Sequence, residues 1–67
     1  MLEIELNGVP HALPGAASLH ALVESLGLSG QALALAVNRR VVPREHWRST
    51  LLRPLDRVDV VRAIGGG

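Results

Sequence analysis

Near its N-terminus the chain alternates strictly: Leu2, Ile4 and Leu6 are apolar, and Glu3 and Glu5 between them are charged. That two-residue period is the mark of a strand with one face buried and one wet. Asn7-Gly8 follows, a pair in which both residues tolerate positive φ, and it predicts a tight hairpin into a second strand over 9–13. Pro10 cannot donate to a ladder on both sides, so this second strand belongs at a sheet edge, and Pro14-Gly15 ends it. The period then changes. Leu19, Leu22, Val23 and Leu26 fall at i, i+3, i+4 and i+7, which predicts a short helix with Ser18 as N-cap and Gly27 as left-handed C-terminal stop. A helix of two to three turns is too short to hold alone, so it must lie across the hairpin.

Residues 33–38 are apolar nearly throughout, which suits a strand buried on both faces. Asn38-Arg39-Arg40 reads as a turn, Val41-Val42 as a brief strand ended by Pro43, 44–49 as a single helical turn carrying Trp47, and Pro54-Leu55-Asp56 as another turn. The last strand is expected over 58–64. Strand, strand, helix, strand, a short irregular region and strand make an α+β chain, a mixed sheet with one main helix packed on one face. In that order the first and last strands can lie side by side at the centre.

Composition narrows the function classes. The 67 residues leave room for one small core, built from Leu, Val, Ile and Ala because Trp47 is the sole aromatic residue. Stacking on nucleic-acid bases therefore has almost nothing to work with. Cys is absent, which excludes disulfides, thiolate metal sites and a cysteine nucleophile. His11, His20 and His46 are too far apart for a ligand pattern, so no metal site is expected. Nor is there a long apolar span or a charged-then-apolar leader, and a cytoplasmic protein that avoids membranes is the expectation. The net charge of +1 divides into −3 over residues 1–38 and +4 over residues 39–67, and every cation is Arg. Seven scattered Arg without a dense cluster make no case for a nucleic-acid partner. Arg39, Arg40, Arg57 and Arg62 are the candidate contacts for a protein partner, Arg62 above all because it lies on the strand feeding the C-terminus.

That C-terminus, Gly65-Gly66-Gly67, is the other candidate. Glycines without side chains can thread a slot that any β-carbon would block, leaving the terminal carboxylate as the reactive group. The expected organisation is a folded domain over 1–64 and a flexible glycine tail over 65–67.

Three stretches carry a family resemblance: Ala34-Leu35-Ala36-Val37-Asn38; Val41-Val42-Pro43-Arg44-Glu45-His46-Trp47; and Asp56-Arg57-Val58-Asp59-Val60 leading to Gly66-Gly67. With the order of elements they resemble the ubiquitin-like β-grasp sulfur carriers of the thiamine pathway, the ThiS family. The resemblance implies a protein co-substrate and not an enzyme. An activating enzyme of the ThiF type, using ATP and magnesium, would adenylate Gly67. Sulfur from a cysteine desulfurase or another donor would displace AMP to leave a thiocarboxylate, and thiazole synthase, ThiG, would take up that sulfur. Gly65 and Gly66 would give the tail reach and slimness, and the carrier itself would bind no cofactor. Two alternatives stand beside this. The molybdopterin-synthase small subunit, MoaD, ends in the same diglycine, but its members tend to be longer and to carry a proline before the terminus, which Val60-Val61-Arg62-Ala63-Ile64 lacks. The other is a β-grasp binding module with an inert tail.

Overall fold

The computed structural model describes residues 1–62. Strands β1 (Leu2–Leu6) and β2 (Val9–Leu13) lead to helix α1 (Leu19–Ser25). Then come β3 (Leu33–Val37), β4 (Arg40–Val42), a 3-10 helix η1 (Arg44–Ser49) and β5 (Arg57–Arg62). The five strands form one sheet in the order β2-β1-β5-β3-β4. β1 and β5 are parallel neighbours at its centre, and the other pairs are antiparallel. The two hairpins therefore flank the strand that arrives last.

Strand alternation sends Leu2, Ile4, Leu13, Leu35 and Val58 to one face, where they pack with Leu19, Leu22 and Val23 of α1, with Trp47 and with Leu52. This is the mixed sheet with a single covering helix that defines the ubiquitin-like β-grasp fold. The helix ends are built as their residue types require. Ser18 Oγ accepts from the Ala21 N–H at 3.1 Å. At the other end Gly27, at φ +71°, lets its own N–H reach the Glu24 carbonyl at 3.0 Å and the Leu28 N–H reach the Val23 carbonyl at 3.1 Å. Those two bonds satisfy carbonyls that the helix leaves open.

Both hairpins turn on an asparagine. Asn7-Gly8 adopts φ +50° and +83°, and Asn38-Arg39 adopts +50° and +70°, the left-handed pair whose twist suits a two-residue connection. Pro10 lies on β2 at the sheet edge, opposite Glu5.

Two expectations need correction. β3 is not buried on both faces: Leu35 is buried, but Ala34 is exposed and Ala36 half-buried on the outward side, since α1 covers the opposite side of the sheet. Apolar character misled here because alanine is small enough to stand in water at little cost. The last strand begins one residue earlier than expected, at Arg57. The rest of the 58–64 expectation, from Ala63 onward, falls outside the described residues, as does the expected tail.

Candidate functional site

The strand that carries the chain toward its glycines is held from both sides by side chains. The Asn7 Oδ1 accepts from the Val60 N–H at 2.8 Å, and the Asn7 N–H donates to the Val58 carbonyl at 2.9 Å. Asn7 thus prolongs the β1–β5 ladder beyond the last paired residues, Leu6 and Val58, its amide taking the place of another peptide. At the start of β5, the Asn38 Oδ1 accepts from the Arg57 N–H at 3.0 Å while its Nδ2 donates to the Asp56 carboxylate at 3.1 Å. Asp56 also accepts from the Arg53 N–H at 2.8 Å. Each amide oxygen meets a backbone donor, so β5 is held in register at its first residue and again at Val60.

The four arginines proposed as partner contacts do not form one cluster. Arg39 and Arg57 line a single groove with Glu5, Gly8 and Asp59 on the outward face. Arg57 is already engaged, its Nε lying 3.1 Å from Glu5 Oε2, but both groups are substantially exposed and the pair contributes little to stability. Arg40 and Arg62 fall on the other side by register, opposite Val37 and Leu33. Arg62 borders a separate groove with Leu6, Asn7, Leu26, Leu28 and Val60. All four side chains are exposed, as a contact role requires. Gly65, Gly66 and Gly67 lie outside the described residues.

Trp47 serves the interior. Its ring is buried, and its Nε1 donates to the Val42 carbonyl at 2.8 Å, which leaves no face for a partner. The Arg44 guanidinium stacks over the ring, 4.8 Å from its centroid, and bonds to the Gln31 carbonyl. Arg44 therefore straps η1 to the loop between α1 and β3. His20 contacts Glu24 across one helical turn at 3.3 Å. Among the described residues no three His, Cys, Asp or Glu side chains come together as a metal site would need, and no helix is long and apolar enough to cross a membrane.

Sequence reasoning missed the outward groove beside Leu55. Glu3, Glu5, Pro10 and Arg57 line it with Leu55, whose backbone has φ +67°. Leu55 was legible only as part of a Pro-containing turn, and positive φ at a leucine has no local signal in the sequence.

Comparison with known proteins fits this geometry. A thiazole synthase of Magnetococcus marinus is 35% identical over 66 residues, an alignment that covers 98% of this chain but 20% of that protein, so the chain spans a fifth of its length. The sulfur carrier protein ThiS of Escherichia coli is 34% identical over 50 residues, 75% of this chain and 76% of that one. The crystal structure of the thiamine biosynthesis protein ThiS from Geobacter metallireducens superposes with a TM-score of 0.84 at 23% identity, covering 98% of this chain and 100% of the other, which supports the β-grasp fold. The ThiS family model matches residues 4–67, all but the first three residues. The chain belongs to the ThiS family.

Proposed function

We propose that this protein is a sulfur carrier of the thiamine pathway, a co-substrate whose Gly67 carboxylate is activated and sulfurated by other proteins. The observation that carries the reading is the reach of the family match, which extends through Gly65 and Gly66 to residue 67. The folded part supports it by what it lacks and what it holds. Cys is absent from the sequence, so any transferred sulfur comes from outside the chain. β5, fixed by Asn7 and Asn38, leads toward the glycines from the centre of the sheet.

The chemistry follows from the poor reactivity of a carboxylate. A Gly67 oxygen attacks the α-phosphorus of ATP and pyrophosphate leaves, which gives the acyl carbon a good leaving group, AMP. The terminal sulfur of a donor persulfide displaces AMP, and a thiol then cleaves the sulfur–sulfur bond. The products are a thiocarboxylate on Gly67 and a disulfide on the donor side. Activation belongs to an enzyme of the ThiF type, which brings the ATP and magnesium, and uptake belongs to a thiazole synthase. The carrier supplies a handle and a slender terminus, and Arg39, Arg40, Arg57 and Arg62 are its candidate contacts. With ATP, magnesium, an activating enzyme and a cysteine desulfurase, intact mass spectrometry should show a gain equal to sulfur minus oxygen. A chain extended by one bulky residue beyond Gly67 should fold normally and show no gain; sulfuration of the extended chain would count against the reading.

A further inference from the structure

Helices α1 and η1 pack against each other, and between them and the loop that follows α1 lies a cavity of about 310 Å³. Helical periods set its wall. His20 and Val23 are one turn apart on α1, and the three-residue turn of η1 brings Arg44 and Trp47 to one side, with Arg48 next to them. Val23 and Trp47 are buried and close the inner side, while Arg44 and Arg48 stand exposed at the rim. Ser29 and Gly30 complete the wall from a turn in which the Gln31 N–H donates to the Leu28 carbonyl at 3.2 Å, with Gly30 at φ +88°.

The charges on this wall are unbalanced and partly fixed in place. Neither Arg44 nor Arg48 is paired with a carboxylate among the described residues, whose ion pairs are His20–Glu24 and Glu5–Arg57. Arg44 is held nonetheless. Its guanidinium lies over the Trp47 ring and bonds to the Gln31 carbonyl, so it has less side-chain freedom to lose on binding. Glu45 also lines the cavity, one negative charge against two guanidinium charges. The hydroxyls of Ser25, Ser49 and Thr50 donate to carbonyls of the fold, whereas that of Ser29 is left for solvent or a ligand.

We propose that this cavity binds a phosphate group, free or carried on a small molecule, held by the guanidinium groups of Arg44 and Arg48 and by the Ser29 hydroxyl. Donor count favours phosphate over carboxylate. Two bidentate forks and a hydroxyl offer more bonds than the roughly four a carboxylate accepts, and a phosphate presents a third charged oxygen. Size excludes bulky ligands, because the cavity is at the small end of the range of about 300–1,000 Å³ typical of ligand sites. The site shares no residue with the glycine tail or with the arginines on the outward face, so it stands apart from the sulfur-carrier reading.

Trp47 is the sole aromatic residue, so its fluorescence reports on this wall alone. The test titrates the full chain with inorganic phosphate and, separately, with glycerol phosphate, at constant ionic strength, reading Trp47 emission and the heat of binding. At least one of the two should bind saturably with a Kd of about 1 mM or tighter, and the tighter one names the source of the phosphate group. Acetate should bind about tenfold more weakly or not at all. Arg48→Gln should weaken binding about tenfold or more while melting within about 4 °C of wild type. Glu45→Gln removes the opposing charge and should tighten binding about two- to fivefold. Arg39→Gln, on the outward face, should change nothing. No saturable signal from either phosphate up to about 20 mM would overturn the proposal. So would equal binding of acetate, an unchanged Kd in Arg48→Gln, or an equal loss in Arg39→Gln, each of which reduces the effect to general charge screening. The mass gain at Gly67 is measured separately, so failure here leaves the carrier function standing.

Discussion

The two turn asparagines show how much one residue type can do. Each accepts positive φ at little cost, and each turns its amide oxygen on a backbone N–H of β5. Glycine would keep the first property and lose the second. Asn38→Gly is therefore expected to destabilise the protein by about 1–2 kcal/mol in urea unfolding, because the Arg57 N–H and the Asp56 carboxylate lose a partner. Arg39→Gly should act the other way, raising stability by up to about 1 kcal/mol as the strain at φ +70° is relieved. The turns themselves were legible in the sequence, since Asn-Gly is a local signal. What the asparagines bond was not, because Asn7 and Val60 lie 53 positions apart and only the closed sheet brings them together. The same limit hid Leu55, whose conformation is imposed by bonds to a strand at the opposite end of the chain.

At the level of elements, short pieces survive by being capped and covered. α1 has seven residues, too few to persist alone, and Ser18 supplies one of its missing acceptors. Ser18→Ala should cost about 1 kcal/mol, read from the denaturation midpoint at unchanged m-value. η1 depends on Trp47, and Trp47→Ala should cost about 3–5 kcal/mol, enough to leave so small a domain largely unfolded. Trp47→Phe should cost about 1–3 kcal/mol, since it leaves the Val42 carbonyl without its donor. The hydrophobic periods of β1 and α1 were readable because each has one wet face. β3 was misread because its outward residues, Ala34 and Ala36, are apolar without being large enough to demand cover. Position in the sheet decided their exposure.

Across the whole molecule, folding brings the acidic first half and the basic second half together at the centre of the sheet. β1, bearing Glu3 and Glu5, lies beside β5, bearing Arg57, so charges far apart in sequence become neighbours. Raising the salt to about 0.5 M should shift the melting temperature by no more than about 8 °C, since exposed pairs of this kind contribute at most about 1 kcal/mol. The arginines singled out from the sequence divide between two faces for the same reason: sheet register sorts them, and composition does not. What the described residues present is a five-stranded sheet whose central strand, β5, ends at Arg62, shortly before the glycines in sequence. The claim that it delivers sulfur is tested most directly by following a sulfur isotope placed on Gly67 through a single turnover with thiazole synthase. If the claim holds, the label appears in the thiazole product and the carrier returns to its unsulfurated mass. Label that stays on the carrier, with thiazole formed from another sulfur source, would contradict it.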